Sequence, residues 1–413
     1  MFKRSVTGAA LLGFVLLSPP ASLAVWGPDV VMEWNEIALA ATVTANQGPV
    51  PQLRSMAIVQ VAVHDAVNVI TQRHARYLSG AQSQAGASAK AAAIAAAHRT
   101  LATLFPAQAA TLIGLRTWSL ADHDLTDDDP GIDVGEAAAA AILAARADDG
   151  AAVAQFPYTA PGAGTPGIFV PIGTQQALLP GWRDVTTWVT RSGSQFRPDG
   201  PPELNSGRYA RDYNEIRELG SLTSQTRTAE QTEIGRFWLG SPAAIWNSVA
   251  RGVLGARNPD ISDAARTFAL MYLAAADASI TCWDAKYTYN FWRPQAAIRN
   301  GDLDDNLETD ADPGWTPLFP TPPHSEYLSG HATNSSAMAT ALEMLFGDDP
   351  GAPIIATSPT NAGFPREWSR FSEGVDEVIE ARIYSGIHFR SADEVGARVG
   401  RQVARFVVRH ALR

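Results

Sequence analysis

Apolar residues recur three and four positions apart over Leu53–Thr71, Ala87–Leu104, Gly135–Asp148 and Ile261–Ala285, the spacing that lays one apolar face along an α-helix. Alanine dominates these faces, so the helix axes are expected to approach closely. Ala91–Ala97 and Phe268–Trp283 are apolar enough to suggest a membrane, but His98 and Arg99 end the first and Asp277 interrupts the second, as in helices packed in a protein core. Between Phe156 and Pro202 the period is lost and Gly, Pro, Thr and aromatic residues take over, which predicts a long irregular connection. A second irregular stretch, Gly301–Pro323, is acidic and then proline-rich. No repeat of fixed period is visible. The pattern predicts an all-α protein of two packed helical bundles, residues 25–155 and 203–413, joined by residues 156–202.

Composition narrows the classes. Of 413 residues, 46% are hydrophobic and 18% charged, which excludes general disorder. A net charge of −10 argues against a nucleic-acid binder that works through a basic surface. The single cysteine, Cys282, rules out an internal disulfide and a cysteine-built zinc framework. At the N-terminus, Lys3 and Arg4 precede the apolar run Ala9–Leu17 and then the small-residue pattern Ser22-Leu23-Ala24. That order predicts a cleavable signal over residues 1–24 and a soluble secreted or periplasmic protein; the other reading is a buried N-terminal helix. The run is too short for a stable membrane span, and no cysteine follows it to carry a lipid.

Three segments of the C-terminal bundle carry the candidate chemistry. In Lys286–Pro294, Lys286 and Arg293 stand seven apart, within about 20° of one helical face, and Pro294 is expected to end that helix. Lysine occurs only three times in this chain (Lys3, Lys90, Lys286), so its placement beside Trp283, Tyr287 and Phe291 stands out. Two cations on an aromatic face suggest a partly buried anion site, or else cations snorkelling over apolar neighbours. In Pro322–His331, Ser329-Gly330-His331 opens a run of helix formers and offers a hydroxyl, an imidazole and free first-turn amides, although plain N-capping by Ser329 fits as well. In Ala381–Asp393, helical periodicity from Glu367 to Tyr384 puts Arg382 in a last turn, Gly386 supplies the stop, and His388 falls in a loop able to fold back. An arginine complementing the helix dipole beside an incidental histidine is the alternative there. Together, three cations, neutral donors and two histidines form the inventory needed to bind an oxyanion of charge about −2.

The ordered set Lys-x6-Arg-Pro, Ser-Gly-His and Arg-x5-His resembles the superfamily shared by vanadium-dependent haloperoxidases and type-2 phosphatidic acid phosphatase-like acid phosphatases. The match runs from Lys286 to Asp393, and the Trp34-Asn35-Glu36 opening also looks like bacterial haloperoxidases. The resemblance implies vanadate as cofactor, with hydrogen peroxide, halide and a small organic acceptor as reaction partners. It makes His388 the residue bonded to the metal. Lys286, Arg293, Ser329, Gly330 and Arg382 would hold the oxyanion, and His331 would serve as acid–base group. Lys286 would also activate the bound peroxide. Trp283 and His324 match positions near the halide site, and histidine at the latter implies bromide. In the phosphatase branch the same pocket would take a phosphoryl group, with His388 as nucleophile and Asp393 orienting it.

The chain departs from the pattern at Leu328 where proline usually stands, at Ala381 where serine does, and at Asp393, one position later than the expected acid. Trp283 and His324 favour the peroxidase branch. A bare anion-binding helical protein is the third reading, and a homo-oligomer is compatible with all three. Of the other histidines, His64 lies with Asp65 in an apolar helical pattern, where each is expected to be a buried polar group satisfied by a neighbouring helix.

Overall fold

The computed structural model describes residues 29–78 and 80–413, so the export-signal reading of residues 1–24 lies outside it. Among the described residues are thirteen α-helices and one short hairpin, and the all-α expectation holds. The first group is α1 (Val30–Thr44), α2 (Pro49–Thr71), α3 (Ala89–Leu104), α4 (Ala109–Asp122) and α5 (Gly131–Ala145). The second is α6 (Gly207–Leu219), α7 (Ala229–Phe237), α8 (Pro242–Arg257), α9 (Ile261–Tyr289), α10 (Pro294–Arg299), α11 (Gly330–Phe346), α12 (Phe371–Tyr384) and α13 (Arg390–His410). The alanine faces do bring axes together. A Cβ added at Gly135 of α5 would meet the Cβ of Ala95 on α3 at 2.8 Å and the Ala96 amide at 2.9 Å, a separation only Gly and Ala faces permit.

Helix α9 is the axle of the molecule. Every residue from Thr267 to Tyr287 is buried, and the helix packs against α2 on one side and α11 and α13 on the other. Its N-terminus is fixed by Asp260, whose side chain accepts from the Ser262 and Asp263 amides. Its two buried acids hold the irregular connection. The Asp277 carboxylate accepts from the amides of Trp188 (2.7 Å), Val189 (2.9 Å) and Thr190 (2.8 Å). Asp284 takes Arg197 in a two-point pair at 2.5 and 2.8 Å. Between α5 and α6 the chain forms only short 3-10 turns, and these carboxylates anchor it.

Two local expectations are corrected. Helix α9 stops at Tyr289, four residues short of Arg293, because Asn290 adopts the left-handed conformation (φ 48°) and donates its amide to the Lys286 carbonyl. Arg293 is the extended N-cap residue of α10, so Pro294 begins a helix instead of ending one, and the two cations share no helical face. Helix α12 begins at Phe371; Arg366–Trp368 (β2) pairs antiparallel with Ile354–Ala356 (β1), with Ile354 opposite Trp368.

His64 and Asp65 are both buried, but the segment just after α2, and no other helix, satisfies them. Asp65 accepts from the Tyr77 and Leu78 amides at 2.7 and 2.8 Å, and His64 Nε2 lies 3.1 Å from the Ala75 carbonyl. The longest apolar span in α2 has 89% of its residues inside the protein, which makes it a core helix.

Candidate active site

Three chain segments meet beside the end of α9. Arg293 comes off α9 by an extended turn, in which Phe291 bridges to Ile168 of the connection. Ser329 caps α11, its hydroxyl accepting from the Ala332 amide. Arg382 lies in the last turn of α12, after which Gly386 (φ 77°) turns the backbone toward α13 and places His388 between the two helices. All of Trp283, Lys286, Arg293, His324, Ser329, Arg382 and His388 are buried.

Arg293 ties this cluster together. Its Nη1 lies 3.1 Å from His388 Nε2 and donates to the Ile387 carbonyl at 2.8 Å; its Nη2 lies 2.8 Å from His324 Nδ1, and its Nε donates to the His324 carbonyl at 2.7 Å. His324 in turn packs on Trp283, with ring centroids 5.2 Å apart. Lys286 stands one layer behind. Its ammonium donates to the carbonyls of Ser325 (2.8 Å), Glu326 (3.0 Å) and Leu328, so all three protons hold the segment that leads into α11. Burial brings Lys286 down to about 7 and Arg293 and Arg382 to about 10. His324, His331 and His388 are pushed well below the usual imidazole range, first by burial and then by the neighbouring cations, and stand neutral at pH 7.

A cavity of about 490 Å³ opens on this cluster. His324, Gly330, His331, Arg382 and His388 form its polar side, together with Trp283 and Asn334. Lys286, Arg293 and Ser329 do not line it. The opposite wall is apolar: Pro49, Val50 and Pro51 from the start of α2, Leu178 and Leu179 from the connection, and Pro242 of α8. Leu178 is held there because its carbonyl accepts from the Tyr287 hydroxyl at 2.6 Å and its amide donates to the Pro323 carbonyl at 2.7 Å.

Two buried carboxylates complete the site. Glu326, which no sequence motif singled out, accepts from His388 Nδ1 and from the Phe389 amide, each at 3.0 Å. Burial raises its carboxyl to about 7 against the lowering pull of Arg293 and Lys286. Glu326 holds the place expected for Asp393 in orienting His388; Asp393 instead lies buried near Ser329 and Arg382 and is pushed well above the carboxylate range by burial. The reason is the register of α13: Asp393 falls in its first turn, beyond the loop that carries His388. A glutamate in a buried, non-periodic stretch two residues after His324 was the available signal.

The donor set suits an oxyanion. Arg382 donates through Nη1 to the Trp238 carbonyl at 2.7 Å, while its Nε is buried without a partner at the cavity. The first-turn amides of Gly330 and His331 have no acceptor within α11, and both residues line the same space. Three buried cations outnumber two buried carboxylates, leaving positive charge for a guest to neutralise.

Comparison with known proteins agrees with this arrangement. Residues 266–413 match the family described as the VCPO second helical-bundle domain. Vanadium chloroperoxidase of Curvularia inaequalis is 26% identical over 197 residues, which is 40% of this chain and 32% of that protein, so the match spans about a third of the relative's length. The crystal structure of a bacterial vanadium-dependent iodoperoxidase superimposes with a TM-score of 0.79 at 24% identity, covering 93% of this chain and 96% of that one. The holo form of a bacterial vanadium-dependent chloroperoxidase does so with a TM-score of 0.70 at 18% identity, covering 95% of each chain. The resemblance read from Lys286 to Asp393 is thereby borne out: residues 266–413 match the second helical-bundle domain of that family, and the fold is that of the bacterial vanadium haloperoxidase structures.

Proposed function

We propose that this protein is a vanadate-dependent haloperoxidase that uses hydrogen peroxide to oxidise halide to hypohalous acid, which halogenates a small organic acceptor. The overall step balances as halide, hydrogen peroxide and one proton giving hypohalous acid and water. The observation that carries this reading is the bridge made by Arg293 between His388 and His324, two residues that line a cavity shared with Arg382 and the start of α11. Vanadate, when bound, supplies a Lewis-acidic centre that activates peroxide toward halide.

The protein's own groups divide the remaining work. His388, neutral and with Nδ1 occupied by Glu326, presents Nε2 as a metal-bonding nitrogen. Arg382 and the Gly330 amide would bind oxyanion oxygens directly. Arg293 and Ser329 back them from the second layer, and Lys286 contributes charge while fixing residues 325–328. His331, which lines the cavity with its Nε2 3.3 Å from the Gly240 carbonyl, would take and return a proton. The Trp283–His324 pair beside Arg293 forms the halide pocket, and bromide is the favoured ion. We further propose that the protein is exported.

The test is bromination of a phenol-type dye by protein preincubated with vanadate, with and without peroxide, and with chloride and iodide in parallel. Vanadium content is measured on the same sample. Peroxide- and vanadate-dependent bromination, abolished in His388→Ala, is expected. Phosphomonoester hydrolysis inhibited by vanadate, with no halide oxidation at any loading, would assign the site to a phosphatase; no turnover of either kind would leave an anion-binding protein.

A further inference from the structure

We propose a second metal site, for a divalent transition-metal ion such as Zn²⁺, formed by Glu33, Asp122 and His123 where the start of α1 meets the end of α4, apart from the vanadate site. One ligand atom from each of the three lies within 4.8 Å of the other two. The His123 side chain is 3% exposed, and among the described residues neither its Nε2 nor Oε1 of Glu33 makes a hydrogen bond of normal geometry. His123 Nε2 sits 3.4 Å from Glu33 Oε2 in a geometry that makes no hydrogen bond. That separation is about the edge of a tetrahedron around an ion with 2.0–2.2 Å bonds to nitrogen and oxygen.

The local field points the same way. The end of a helix carries negative partial charge, and α4 has no basic residue in its last turn. Asp122 is the last residue of α4 and His123 its cap, while Glu33 lies in the first turn of α1 behind the N-cap Asp29. Three acids (Asp29, Glu33 and Asp122) and a helix C-terminus therefore surround one imidazole nitrogen. One imidazole with two carboxylates suits Zn²⁺ or Mn²⁺ better than Ca²⁺, which prefers an all-oxygen shell. Asp122 is exposed and free to swing the last donor inward, leaving water to complete the shell.

Isothermal titration of the metal-stripped full chain with ZnCl₂ tests this, with Asp122→Asn and His123→Gln as variants and Co²⁺ visible absorption as a second readout. Wild type is expected to bind one equivalent that both variants bind more than about tenfold more weakly. Histidines of the vanadate site could take a further equivalent, but that uptake would survive both substitutions. Asp122→Asn changes an exposed position, so it decides the matter should His123→Gln fail to fold. No Zn²⁺ uptake by wild type, or uptake unchanged in Asp122→Asn, overturns the site. Halide oxidation and its dependence on vanadate are expected to be the same in wild type and Asp122→Asn.

Discussion

The Glu326 carboxylate and the His388 imidazole form a fully buried pair, Oε1 to Nδ1 at 3.0 Å, and the same oxygen accepts the Phe389 amide. One acid thus fixes both the ring's protonated nitrogen and the backbone that carries it. With Nδ1 holding the proton, Nε2 keeps its lone pair, and that is the nitrogen Arg293 approaches at 3.1 Å.

Removing this acid should weaken the anion site more than the fold. In Glu326→Ala the imidazole loses its orienting partner, and vanadate affinity of the metal-free protein is expected to fall about 10- to 100-fold. Glu326→Gln keeps a carbonyl acceptor and is expected to retain most of it. Titration with vanadate, and with phosphate as a redox-silent oxyanion, followed by tryptophan fluorescence, would show it. Equal affinities in wild type and Glu326→Ala would sink the assignment.

Lys286 acts on the chain before it acts on a ligand. Its three hydrogen bonds to the carbonyls of residues 325, 326 and 328 hold the turn that delivers Ser329 and Gly330 to α11. Lys286→Met fills the space but orphans those carbonyls, at about 1–3 kcal/mol for each that finds no other donor. A lowered urea midpoint together with weakened vanadate binding is expected. Loss of activity at unchanged stability would mean that the ammonium serves the ligand alone.

The residues that gather here were legible in sequence because they are rare residues at fixed spacings. Lys286, Arg293, Ser329, Arg382 and His388 do meet in one buried cluster. What periodicity could not supply was how they meet. The left-handed turn at Asn290 replaces about one further helical turn, so Arg293 reaches His388 from an extended segment and not from the face of α9. Glu326 was hidden because its role depends on a partner 62 positions away, with no periodic element around it to suggest burial. The apolar cavity wall at Pro49–Pro51 and Leu178 draws on segments far from every motif, brought in by the docking of α2 and by the carboxylates of α9 that pin the connection.

The seat of α11 is set by two glycines of α13. A Cβ at Gly396 would come to 2.8 Å from Thr333 Oγ1 and 3.0 Å from the Ser329 carbonyl. One at Gly400 would reach 3.0 Å from the Ala337 amide and would clash with the Thr333 carbonyl. Backbone cannot yield as a side chain can, so Gly400→Ala should push α11 outward, costing about 1–3 kcal/mol. Because Ser329 and Gly330 ride on that helix, vanadate affinity should drop as well. Thermal unfolding and vanadate titration on the one variant check both outcomes; in Gly252→Ala, mid-helix in α8 with open space around it, vanadate affinity should hold and stability should rise by about 0.5–1 kcal/mol.

Burial also makes the N-terminal helices pH-sensitive through His64. Its imidazole, enclosed between the Ala75 carbonyl and the Asn68 amide, is brought down from 6.5 to about 4, chiefly by burial. A base whose folded pKa is depressed is fully compatible with folding above its unfolded value. Its contribution is lost as pH falls from about 6.5 toward 4, because the unfolded chain then binds the extra proton. Between pH 7 and pH 5 this amounts to about 2 kcal/mol. Asp65 works in the opposite sense, since burial raises it to about 6 and the folded state takes up its proton first. The slope of wild-type stability therefore mixes the two, and the informative quantity is its difference from His64→Gln. Urea unfolding at pH 7 and pH 5 should show the variant losing about 2 kcal/mol less than wild type over that interval. Parallel losses in the two proteins would mean that His64 takes up its proton in the folded state as readily as in the unfolded one.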